Sequence, residues 1–222
     1  VITIIFYPDK IKHWELRNYF YYSAIISSLF LIVLLINGPW NTELYTHEVT
    51  SAIVRIKHFF KGEIIYWYDG RGFGTPFPTV QAPDTHPIFL LSPFISLRLV
   101  FSLFWIIHLT MGALFCIKLS RLISLNKTLS LVNGFLFVFS MESLSGTVFY
   151  NFSSVFVCWS MLPIITYYSY KLILSNEKGR LKRIITLSIL ISFTVYNGLP
   201  SVYAHNFVIL MLCLLVVLLF PL

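Results

Sequence analysis

The carboxylates and histidines of this chain are concentrated in one polar stretch. Between Gly38 and Pro87 lie five of its nine acidic residues, Glu43, Glu48, Glu63, Asp69 and Asp84, together with His47, His58 and His86. Glu43 and His47 stand four residues apart and share a face if the segment is helical, and Glu48 follows directly. A carboxylate so placed can take the proton of an attacking hydroxyl beside a developing oxocarbenium centre, and partial burial raises its pKa toward the working pH. A lipid-phosphate leaving group would need cationic partners, for which Arg71, Arg98 and Lys61 are the candidates. The plain alternative is that Glu43 and Glu48 are solvated loop charges favoured by a helix dipole.

The elements that must hold this stretch are apolar. Of the 222 residues 57% are hydrophobic and only 11% are charged, with a mean hydropathy of +0.80, against about 25% charged residues in a soluble domain. This composition predicts an all-α polytopic membrane protein. The net charge of +7 does not point to nucleic acid, because Lys and Arg fall between apolar runs rather than along one face. Cys116, Cys158 and Cys213 are isolated in apolar surroundings, with no metal-binding spacing. We read residues 1–222 as the N-terminal part of one transmembrane domain of a longer protein.

About six spans are expected. Phe20 to Ile36 is the first, ended by Gly38-Pro39. Ile88 to Leu97 is too short to cross and contains Pro93, so it is expected as a partly inserted or re-entrant helix. Leu99–Leu119, Leu129–Ser140, Ser154–Ile173 with Pro163 inside, Ile184–Tyr196 and Asn206–Phe220 follow. Within the long loop 38–87, apolar Val49, Ile53, Ile56 and Phe60 alternate at helical spacing with Arg55, Lys57 and Lys61. That pattern predicts an amphipathic interfacial helix over about 49–61. Asp69 to Pro78 is turn-rich and cannot be helix; its GRGFG has no strand before it and is not a nucleotide loop. Eleven of the sixteen Lys and Arg lie at the N-terminus and around Arg121 and Arg180, whereas the loops around Glu142 and Asn197 have none. The positive-inside rule then sets the N-terminus in the cytoplasm and loop 38–87 outside.

The order of these features resembles the GT-C superfamily of membrane glycosyltransferases, and more narrowly its YfhO-like branch. The resemblance is carried by Glu43-Leu-Tyr-Thr-His47, Lys61-Gly62-Glu63, the GFGTPF run, Ile107-His108-Leu109 with Gly112 and Arg121, Phe137-Val138-Phe139-Ser140, and Trp159-Ser160-Met161-Leu162-Pro163. It implies a GT-C-like helical bundle of the cell envelope transferring a hexose or pentose from a polyprenyl-phosphate-linked donor to an extracytoplasmic acceptor. Glu43 occupies the position of the catalytic acid, where relatives commonly have Asp, which keeps Glu48 as a candidate. Some members hold a divalent metal with acidic residues, and Asp84 with His86 could supply ligands; turn capping is the plainer role for Asp84. Glu142 and His47 could face the same external cavity. His108 lies inside a span, where a helix-to-helix hydrogen bond is the expected role.

The competing classes are a non-catalytic assembly subunit and a transporter of lipid-linked or small polar substrates. A transporter should carry ionisable groups near the midplane on broken helices in repeated halves. Here the acids gather in one loop, and no internal repeat is visible.

Overall fold

A computed structural model describes residues 13–37, 61, 67–68, 75–76, 86–123, 125–140, 153–173 and 177–197. Five α-helices dominate: α1 (His13–Asn37), α2 (Leu97–Leu122), α3 (Lys127–Val138), α4 (Ser153–Ile173) and α5 (Glu177–Asn197). A 3-10 helix, Pro87–Leu91, precedes α2. Two short strands, β1 (Trp67–Tyr68) and β2 (Thr75–Pro76), pair antiparallel with Trp67 opposite Pro76, so a strand does precede GRGFG, contrary to expectation. The expected interfacial helix lies outside the described residues except for Lys61, an exposed turn residue, and so does the expected last span.

The long apolar run of α2 starts where Ser96, in extended conformation, accepts a hydrogen bond from the Leu99 N–H at 3.3 Å. Its candidate membrane segment, Leu99–Leu122, is 24 residues, or about 36 Å, against a hydrocarbon core of about 30 Å. Among the described residues this is the one helix long and apolar enough to cross a membrane; α3 is apolar but shorter. Ile88 to Leu97 is not a single helix, contrary to expectation. The 3-10 turn ends at Ser92, and Pro93, with no N–H to donate, separates it from α2.

α2 is the hub, packing against α1, α3 and α4, while α5 packs on α4. Three contacts fix α4 parallel to α2 in a constant register: Trp105 on Phe156 at 4.3 Å, His108 to Ser160 at 2.8 Å, and Phe115 on Tyr167 at 5.3 Å. α3 runs back along α2, since Asn133 donates to Ser120 Oγ at 2.9 Å and Gly134 lies over Ile117. α1 is also antiparallel to α2, with Tyr19 in the cluster of Leu114 and Ile117 and Phe30 in that of Phe101 and Phe104. Arg183 donates to the Lys171 carbonyl at one end of α5, and Phe193 meets His86 at the other. This alternation gathers Arg17, Lys118, Arg121, Lys127, Lys171, Arg180, Lys182 and Arg183 at one end of the bundle. The 3-10 helix and the start of α2 stand at the opposite end.

Around a core of large apolar side chains, α1 and α5 also bury small polar residues and expose large apolar ones. On α1, Ser23 and Ser27 are fully buried, whereas Tyr21, Ile25, Leu29 and Ile32 form an exposed stripe. α5 likewise exposes Leu181, Ile185 and Ile189 and buries Thr194. Small polar residues inside and large apolar ones outside suit helices that pack by close approach in an apolar solvent.

Candidate functional site

At the end away from the basic residues, the chain enters the bundle through His86. Its backbone is extended, Pro87 begins the 3-10 helix, and its ring turns back so that Nδ1 accepts from the Ile88 N–H at 3.3 Å. An amide N–H can only donate, so His86 Nδ1 carries no proton and the neutral ring is protonated at Nε2. That Nε2 lies 3.2 Å from His108 Nε2, which must then accept. His108 is therefore protonated at Nδ1 and donates to Ser160 Oγ at 2.8 Å. Ser160 in turn donates to the Val157 carbonyl at 3.1 Å. One directed chain of four hydrogen bonds thus joins the 3-10 helix, α2 and α4, with both rings neutral and every donor used.

The chain is set in an aromatic box. The His86 ring centre is 5.1 Å from Phe104, 5.4 Å from Phe193 and 6.4 Å from Phe89, and His108 is 4.6 Å from Phe104. Burial in these surroundings pushes the His86 pKa down to about 4. Beside Ser160, the Phe137 ring lies flat on Trp159 at 4.0 Å and 7°. Gly112 makes room for it, because a Cβ there would collide with the Phe137 ring and come within 3.2 Å of the Ser160 carbonyl. Within α4, Pro163 cannot donate to the Trp159 carbonyl four residues back.

Of the residues singled out from sequence, the structure brings together His86 and His108. His108 makes the expected helix-to-helix bond, to Ser160, and a second one to the loop end that was not foreseen. Lys61 is exposed. Arg98 lies in the first turn of α2 at the histidine end, with its side chain outside the described set. Glu43, His47, Glu48, Arg71, Asp84 and Glu142 lie outside the described residues. Ser160 was missed as a site residue, although a histidine in an apolar helix demands a polar partner and Ser160 is one of the few available on α4.

Both His86 ring nitrogens are engaged by protein partners, Nδ1 by the Ile88 N–H and Nε2 by His108, and Asp84 lies outside the described residues. Coordination through Nε2 would move its proton to Nδ1, facing the Ile88 N–H, and would cost both hydrogen bonds. Among the described residues no three His, Cys, Asp or Glu side chains converge as a metal site would require. Cys116 and Cys158 form no disulfide. Comparison of the chain with protein families, curated proteins and solved structures finds no match.

Proposed function

We propose that the protein is a membrane-embedded glycosyltransferase of GT-C type, with loop 38–87 on the extracytoplasmic face, the basic end of the bundle in the cytoplasm, and about six spans. The observation that carries the reading is the anchoring of His86. The return end of the acidic loop is tied into the bundle through His108 and Ser160, at the end opposite the basic residues. A loop held at both ends at one membrane face can present a carboxylate to a lipid-borne donor repeatedly in the same place. The exposed apolar stripes of α1 and α5 support the membrane setting.

In this reading Glu43, with Glu48 assisting, takes the proton of the acceptor hydroxyl. That oxygen bonds to the anomeric carbon as the bond to the lipid phosphate breaks. The departing polyprenyl phosphate keeps the electron pair, and its charge is met by Arg71, Arg98 or Lys61. His86 and His108 position the loop and take no proton. Donor and acceptor occupy the loop side, and membrane lipids surround the helices.

The test is sugar transfer from a polyprenyl-phosphate-linked donor by the full-length protein in membranes. Glu43→Gln should lower the rate by about 10²–10⁴ while leaving expression intact. Wild-type turnover in Glu43→Gln with a dead Glu48→Gln or Asp84→Asn would move the base to another carboxylate. Full activity in all three would remove the catalytic role of the loop and favour an assembly subunit.

A further inference from the structure

The end of the bundle opposite the histidines carries a second arrangement of ionisable groups that sugar transfer does not use. Lys118, near the end of α2, and Lys171, near the end of α4, both turn toward Tyr167. Each ammonium nitrogen is 4.8 Å from the centre of that ring, so the two charges are separated by no more than twice this distance, and Lys118 Nζ is also 4.3 Å from the Phe115 ring. Both lysines are half-buried. Two like charges held this close repel, and helix-dipole attraction explains a lysine at each helix end but not their convergence on one ring. A carboxylate between them would relieve the repulsion. Among the described side chains, however, Glu15 is the sole carboxylate, and it forms no ion pair with either lysine.

Two of the neighbouring cations are already engaged with backbone carbonyls. Arg183 directs Nη1 to the Lys171 carbonyl at 2.9 Å, and Arg121 directs Nη1 to the Leu125 carbonyl at 3.1 Å, so both tie down helix ends. On α5 beside them Leu181, Ile184 and Ile185 are exposed together with Arg180 and Lys182, so the surface there mixes hydrocarbon with further positive charge. A ligand for this corner must therefore offer negative charge to two ammonium groups and hydrocarbon to the adjoining helix face.

We propose that Lys118 and Lys171 form a binding site for the phosphate of an anionic phospholipid in the leaflet at the basic end of the bundle, with its acyl chains along the exposed face of α5. The aromatic faces of Phe115 and Tyr167 hold the ammonium groups when no headgroup is bound, and their flexible stems let both nitrogens swing to the phosphodiester. A free phosphate would use the lysines but leave the apolar face unmatched.

The test uses the full chain in nanodiscs of phosphatidylcholine doped with phosphatidylglycerol, followed by detergent extraction and quantification of retained lipid. The wild type should retain phosphatidylglycerol in preference to phosphatidylcholine. Replacing both lysines, Lys118→Gln with Lys171→Gln, should weaken that retention about 30-fold, while Lys118→Arg with Lys171→Arg should keep it. A Lys127→Gln and Lys182→Gln control, which removes the same charge at the same end, should retain the lipid. Loss in that control equal to the loss in the Lys118 and Lys171 variant would overturn the site in favour of diffuse surface attraction. Displacement of phosphatidylglycerol by inorganic phosphate alone would reassign the site to a soluble anion. If the doubly substituted protein does not fold, thermal unfolding of the wild type decides, because a bound lipid must raise the melting temperature in phosphatidylglycerol relative to phosphatidylcholine. Equal melting temperatures would reject the proposal.

Discussion

The histidine end and the lysine end of the bundle place ionisable groups in apolar surroundings by opposite means. At His86 and His108 the charge is removed: both rings are neutral and each nitrogen has a partner of the right polarity. At Lys118 and Lys171 the positive charge has no described carboxylate to meet it and rests on the faces of aromatic rings near the helix ends. The difference follows from depth and chain length. A histidine in mid-helix has no stem with which to reach water, whereas a lysine one or two turns from a helix end can extend its ammonium group outward. The histidine end should therefore respond to any lost partner, and the lysine end should respond mainly to what binds it.

The largest effect should come from cutting the histidine chain in the middle. His108→Ala leaves the His86 Nε2–H without its acceptor, takes from Ser160 Oγ the bond it accepts and opens a cavity beside Phe104, which should cost about 3–5 kcal/mol in denaturant or thermal unfolding. Adding His86→Leu should recover part of that loss, because it removes the stranded Nε2–H, although the Ile88 N–H then loses its acceptor. Strictly additive losses would mean that the two rings do not work as a pair.

Acidification should be next. His86 is neutral in the folded state down to about pH 4, whereas the unfolded chain takes up the proton near pH 6.5. The unfolded state therefore binds more protons between these values. The His86 contribution is complete above about pH 6.5 and is lost as pH falls toward 4, by on the order of 3 kcal/mol. Subtracting the pH profile of His86→Gln from that of the wild type isolates this share. A flat difference would show that His86 is not held neutral.

The smallest effect belongs to the other end. Lys118→Gln loses two ring contacts but also relieves repulsion from Lys171, so unfolding in neutral detergent should change by less than about 1 kcal/mol. A loss as large as that of His108→Ala would erase the contrast between the two ends.

Much of the helical framework was legible because it rests on runs of apolar residues and their breakers. The expected span at 99–119 is the core of Leu97–Leu122, and the segment expected at 154–173 is helical over Ser153–Ile173. The first helix begins at His13, before the apolar run, because Trp14, Glu15 and Leu16 continue it. The region around Pro93 is expected from sequence as one partly inserted or re-entrant helix, because the proline reads there as a limit on crossing and not as the break that it makes between the 3-10 helix and Leu97. The pairing of His86 with His108 could not be read at all. The residues are 22 apart, and no helical or strand period links a loop residue to a mid-helix one. All five carboxylates of the candidate catalytic loop lie outside the described residues, and their roles still rest on sequence.

The hydrogen-bond chain through His86 and His108 has a fixed polarity, and that limits what it can carry. It begins at a backbone N–H, which can only give, and ends at a backbone carbonyl, which can only receive. Reversing the two tautomers would set proton against proton at Ile88 and turn the Ser160 hydroxyl away from the Val157 carbonyl. A conducting water wire resets by turning around after each transfer, and this one has no second orientation to turn into. It behaves as a clasp with a single closed state, which fits it to hold the loop and disqualifies it as a route for protons across the bundle.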